Sequence, residues 1–103
     1  MRDGSFIVQV DKMLEEIYPD YLLGLNEIVL KLKKSLENND RDTIKYYAHQ
    51  VAGNAGSYGL EELGKMAQKL EEFSDVESLK SLELSTQVTE IENYLQFLEV
   101  EFI

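Results

Sequence analysis

The chain has 103 residues, enough for one domain around a single modest core and too few for two. Its 20 acidic against 10 basic residues give a net charge of −10, so nucleic-acid backbones and anionic lipid surfaces repel it, and Lys31, Lys33 and Lys34 are too few to reverse that. The absence of cysteine excludes disulfides, thiol nucleophiles and thiolate metal sites and fits a reducing compartment, so a cytoplasmic location is expected.

The first apolar run, Phe6 to Val10, is broken by Gln9 and is much shorter than a signal-peptide core or a membrane span. Ile7, Val10, Leu14 and Ile17 suggest a short N-terminal helix, and Pro19 suits the first turn of the helix that follows. Leu22, Leu25, Val29, Leu32 and Leu36 then recur at steps of three and four, an apolar stripe along a helix of about five turns. Asn38-Asn39-Asp40 can end that helix and N-cap the next. Ile44, Ala48, Val51, Ala55 and Tyr58 form the stripe of a further helix. Ser57 to Gly59 breaks it, and Leu60, Leu63, Ala67 and Leu70 begin another, which ends near Ser74-Asp75. Residues 76 to 83 read as loop or helix start. The last stripe is Leu84, Val88, Ile91, Leu95, Leu98 and Phe102.

Stripes of this kind are expected to be core, every Leu, Ile, Val and Phe in them and most of the Tyr. The expected fold is all-α: an antiparallel up-down four-helix bundle with a short additional N-terminal helix, forming one domain over residues 1–103. A start at Met1 suits a free-standing protein and equally a domain cut from a longer chain. Nothing in the pattern calls for an obligate dimer, so a monomer is expected.

The stretch AHQVAGNAGSYG, residues 48–59, departs from ordinary helix composition. His49, the sole histidine, lies one position off the buried stripe, on a face shared with Lys45, Ala52, Gly53 and Gly56. Glycine inside a helix costs roughly 1 kcal/mol relative to alanine, so Gly53 and Gly56 together oppose this helix by about 2 kcal/mol. Small residues there leave the imidazole clear of its surroundings and allow a second macromolecule to approach it closely. If the chain reverses near residue 60, residues equidistant from that point lie side by side, which sets Glu71 opposite His49. A carboxylate accepting from Nδ1 leaves Nε2 unprotonated, and a neutral imidazole can carry a phosphoryl group as a labile phosphoramidate. A metal site needs several histidines or converging carboxylates, and the spacing offers neither.

HQVAGNAGSYG resembles the signature of histidine phosphotransfer (HPt) domains. In that family the phospho-accepting histidine is followed by a hydrophobic residue at +2, lysine at +3, glycine at +4, often serine at +5, and small residues beyond. Here Val51, Gly53, Asn54, Ala55, Gly56 and Gly59 occupy positions +2, +4, +5, +6, +7 and +10. Glu71 stands where the family has a Glu or Gln bonded to the histidine, and residues 15–40 loosely resemble the helix before the signature. The resemblance, spanning roughly residues 10–75, implies a phosphorelay intermediate rather than an independent kinase or phosphatase. His49 would exchange a phosphoryl group with the phosphoaspartate of a receiver domain, in a response regulator or hybrid histidine kinase. That receiver would carry Mg²⁺, and this chain would need no cofactor of its own.

The match fails at Ala52, where the family has lysine. Lys45, one turn before His49, is the better substitute cation, although its side chain leans toward the helix N-terminus. Lys69 serves only if it faces the same groove, and Gln68, level with Ala52, could bond a phosphoryl oxygen. Two functional readings follow: an active relay through His49, or a binding-only HPt-like protein that docks on a receiver or kinase without transfer. An acidic helical adaptor outside signalling is the third.

Overall fold

The computed structural model describes residues 6–76 and 81–103. In chain order these form strand β1 (Phe6–Val10), a 3-10 turn (Lys12–Leu14), helices α1 (Tyr18–Glu37) and α2 (Arg41–Asn54), a second 3-10 turn (Ala55–Tyr58), helices α3 (Glu61–Ser74) and α4 (Ser81–Gln96), and strand β2 (Leu98–Phe102). Among the described residues the molecule is therefore mostly helical, with four helices.

Local chemistry sets the helix ends. Pro19 lies in the first turn of α1, where its missing N–H is no loss. Between α1 and α2, Asn39 adopts φ 53° and Asp40 caps α2 by accepting from the Thr43 N–H at 3.1 Å and the Thr43 hydroxyl at 2.5 Å. Gly59, at φ 80°, reverses the chain before α3, a left-handed conformation that costs other residues. Glu61 and Glu62 follow in the first turn of α3, where acidic side chains complement the helix dipole.

The helical stripes meet in one core. Leu25, Val29 and Leu32 of α1 pack with Ile44, Ala48 and Val51 of α2, with Leu63, Ala67 and Leu70 of α3, and with Leu84, Val88, Ile91 and Tyr94 of α4. The most extensive helix pairing is α2 with α3, and small residues line it. A Cβ added at Gly64 would lie 3.7 Å from the Ala55 Cβ and 3.9 Å from the Ala52 carbonyl. This close approach lets side chains of ordinary length meet across the seam.

The ends of the chain differ from an all-α bundle. No helix covers Ile7, Val10, Leu14 and Ile17; Phe6–Val10 is a strand and only Lys12–Leu14 makes a helical turn. The last stripe also changes character, for α4 stops at Gln96 and Leu98 and Phe102 belong to β2. The two strands pair in parallel, Phe6 with Leu98 through Val10 with Phe102. FIVQV and LEVEF are short and carry β-branched and aromatic residues, and each pairs along one edge with the other. Spacings of three and four in so short a segment cannot distinguish that pairing from a helix. Of the doubtful segment 76–83, residues 77–80 lie outside the described residues, and helix begins at Ser81.

Candidate functional site

Residue 49 sits midway along α2, one position past the buried Ala48, so its side chain emerges beside the α2–α3 seam. The imidazole is 76% exposed. Its Nδ1 lies 2.7 Å from Glu71 Oε2 on α3, a carboxylate only 23% exposed. A carboxylate can only accept, so Nδ1 carries the proton in this bond and the lone pair of a neutral ring resides on Nε2. Glu71 follows the buried Leu70, and packing of Leu70 against the core fixes where the carboxylate emerges.

One turn along the same seam, Lys45 Nζ lies 2.8 Å from Asp75 Oδ1. The hydrogen bond to Asp75 and then its charge push the Lys45 ammonium above its ordinary pKa against the opposing effect of desolvation, with smaller help from the charges of Glu71 and Asp42. Lys45, Asp42, Tyr46, Gln50 and Glu71 join His49 around an open groove of about 530 Å³. Asp42, Tyr46, Gln50 and Asp75 were not singled out by sequence. Asp42, Lys45, Tyr46 and His49 fall at helical spacing on one face, and Asp75 opposes Lys45 in the register that sets Glu71 opposite His49, so the signal was present.

On the other side of the ring the surface is bare. Gly53 and Gly56 are exposed, and a Cβ built on either would meet nothing within 4 Å. Gly53 is inside α2, whereas Gly56 lies beyond its end in the 3-10 turn, so the helix carries the cost of one glycine rather than two. Ala52 is half-buried and Gln68 exposed, both outside the groove. Lys69 turns to the Phe73 ring, its Nζ 5.6 Å from the centroid, and does not line the groove.

The turn after α2 is pinned by aromatic rings. Tyr21 stacks on Tyr58 with centroids 3.6 Å apart, Tyr21 donates its hydroxyl to Asn54 Oδ1 at 2.9 Å, and Tyr18 donates to the Tyr58 carbonyl at 2.7 Å. Burial pushes the Tyr18 hydroxyl up to about 12, with a smaller contribution from Tyr94. Burial likewise raises Tyr21, helped by Tyr18, Tyr58 and Tyr94. Both groups therefore stay protonated as donors, and the surface formed by Gly53 and Gly56 is held in place from below.

Among the described residues no group of three or more His, Asp or Glu side chains converges as a metal site would, and no helix is long and apolar enough to cross a membrane. A family model described as Hpt domain matches residues 9–100, nearly the whole chain. No curated protein matches the chain, and no solved structure does.

Proposed function

The chain belongs to the Hpt domain family, and from that premise we propose that it is an active phosphorelay intermediate using His49 as the phosphoryl carrier. Hpt domains work with receiver domains and histidine kinases in phosphorelays. The observation that carries the reading is the 2.7 Å bond from His49 Nδ1 to Glu71 on a side chain that is 76% exposed. The short links between consecutive helices favour an up-down, antiparallel order of the bundle, and the cysteine-free composition suits the cytoplasm.

In transfer, the Nε2 lone pair attacks the phosphorus of a receiver phosphoaspartate in line. An N–P bond forms as the P–O bond breaks, and the electron pair leaves on the aspartate carboxylate. Positive charge developing on the ring is balanced by the Glu71 carboxylate, while the proton stays on Nδ1. The return step reverses these events. Most charge stabilisation is assigned to the receiver and its Mg²⁺, so this chain contributes an oriented nucleophile and an unobstructed approach. Lys45, the cation lining the groove, is proposed to help, and Gly53 and Gly56 keep the approach open. Gln68 is left as an auxiliary contact for a phosphoryl oxygen.

Ala52 in the lysine position favours a second reading, a domain that docks on a receiver or kinase without transfer. Incubation with phosphorylated receivers separates the two. Acid-labile, alkali-stable phosphate on the wild-type chain and none on His49→Gln is the expected result. Label persisting in the variant would overturn the assignment of His49, and receiver binding without any label would establish the docking role instead.

A further inference from the structure

The strand pair has backbone groups that nothing described above uses. Phe6 N–H donates to the Phe97 carbonyl and the Val10 carbonyl accepts from Ile103 N–H, both at 2.9 Å, within the parallel register that pairs Phe6 with Leu98. In a parallel ladder a residue turns its N–H and C=O to the same side and the next residue turns both away. Phe6, Val8 and Val10 therefore serve β2, while Ile7 and Gln9 each direct an N–H and a C=O to the outer side of β1. Among the described residues no third strand takes them up.

That outer side borders an open groove of about 410 Å³ lined by Ile7, Gln9, Gly59, Glu61, Glu62 and Tyr94. β1 holds neither a charge nor a proline, the usual devices by which edge strands avoid pairing. Glu61 and Glu62 are exposed at the groove, and Glu62 meets Lys65 only at 3.8 Å. An open ladder edge flanked by two carboxylates selects an extended chain with cationic side chains.

We propose that the outer edge of β1 docks an extended basic segment of a partner protein, which adds as a third strand with Lys or Arg side chains against Glu61 and Glu62. Backbone pairing at Ile7 and Gln9 sets the register, and the two acids set the charge preference. A second copy of this chain is a poor occupant. Two molecules of net charge −10 repel, and an apposed FIVQV strand brings no cation to the acids.

The full chain, ¹⁵N-labelled, is titrated with a capped seven-residue peptide alternating lysine and valine, and separately with one alternating glutamate and valine. Saturation with the lysine peptide is expected to slow amide exchange at Ile7 and Gln9 by about tenfold, with far weaker effects from the glutamate peptide. Gln9→Pro removes an N–H that the β1–β2 ladder does not use and is expected to weaken the lysine peptide by about fivefold or more. The double change Glu61→Lys and Glu62→Lys is expected to reverse the peptide preference, and it tests the site even if the proline disturbs the strand. Unchanged exchange at Ile7 and Gln9, or equal binding of both peptides, would overturn the proposal. A concentration-dependent dimer that itself protects these amides would overturn it too, by giving the edge to a second copy.

Discussion

Lys45 Nζ is 2.8 Å from Asp75 Oδ1, joining α2 to α3 one helical turn along the seam from the bond between His49 and Glu71. The cation that lines the groove with His49 is thus engaged by a carboxylate from which it must part to reach a phosphoryl group on Nε2. Asp75→Asn weakens that hold and is expected to speed transfer by about two- to fivefold, while Lys45→Ala slows it. Single-turnover transfer from one phosphorylated receiver measures both. Equal rates in the two variants would show that Lys45 takes no part.

Ala52 faces the question from the other side of the ring. Ala52→Lys places an ammonium one turn beyond His49 and is expected to raise the transfer rate, with a smaller gain in the Asp75→Asn background, where Lys45 is already free. A rate unchanged in both backgrounds would mean that the receiver alone neutralises the phosphoryl oxygens.

Glu71 acts through the orientation of the ring. Glu71→Ala is expected to slow transfer by about tenfold or more, since the nucleophile then samples both tautomers and several rotamers. Imidazole ¹⁵N shifts provide a readout that a purely structural role would not move: the fraction of rings protonated at Nδ1 falls in the variant. Normal shifts with a normal rate would remove Glu71 from the mechanism.

Gly53 and Gly59 predict opposite responses to the same change. At Gly53 a Cβ meets open space inside α2, so Gly53→Ala is expected to stabilise the fold by about 0.5–1 kcal/mol while slowing transfer by crowding the partner. Gly59 has φ 80°, and its Cβ would come within 3.2 Å of Val10 Cγ2, so Gly59→Ala is expected to cost about 1–2 kcal/mol. Thermal unfolding and transfer assays on the pair check this. A Gly53→Ala protein with wild-type transfer would deny that residue any role in access.

The α2 cap makes stability depend on pH. The Thr43 hydroxyl, and then its N–H, hold the Asp40 carboxyl below its ordinary value of 3.8. A depressed folded-state pKa contributes stability that is complete above the unfolded value and disappears as pH falls through the folded one. Asn also caps helices but does not titrate, so the wild-type melting temperature should drop relative to Asp40→Asn between about pH 5 and pH 3. A constant difference across that range would mean that the ionised cap adds nothing.

The interior of the molecule was largely legible in the sequence. Steps of three and four located the helices, Asn38 to Asp40 and Gly59 punctuated them, and the reversal near residue 60 set Glu71 against His49, where the structure has their hydrogen bond. The groove was legible in part: Lys45 was expected on the ring's face, whereas Asp42, Tyr46 and Gln50 join it only in the folded chain. The strands were not legible, because pairing between Phe6–Val10 and Leu98–Phe102 is a relation between opposite ends of the chain, and neither five-residue segment carries enough period to announce it.

Sequence alone therefore determined which faces must be buried and where a helix had been stripped around a histidine, since both follow from the local spacing of side chains. Only the tertiary structure decided that Lys45 is tied to Asp75, that tyrosines brace the turn after α2, and that β1 offers an open edge. Those features depend on the distance between elements far apart in the chain, which local spacing does not encode; at the α2–α3 seam it is the small residues Gly64 and Ala55 that let the backbones approach.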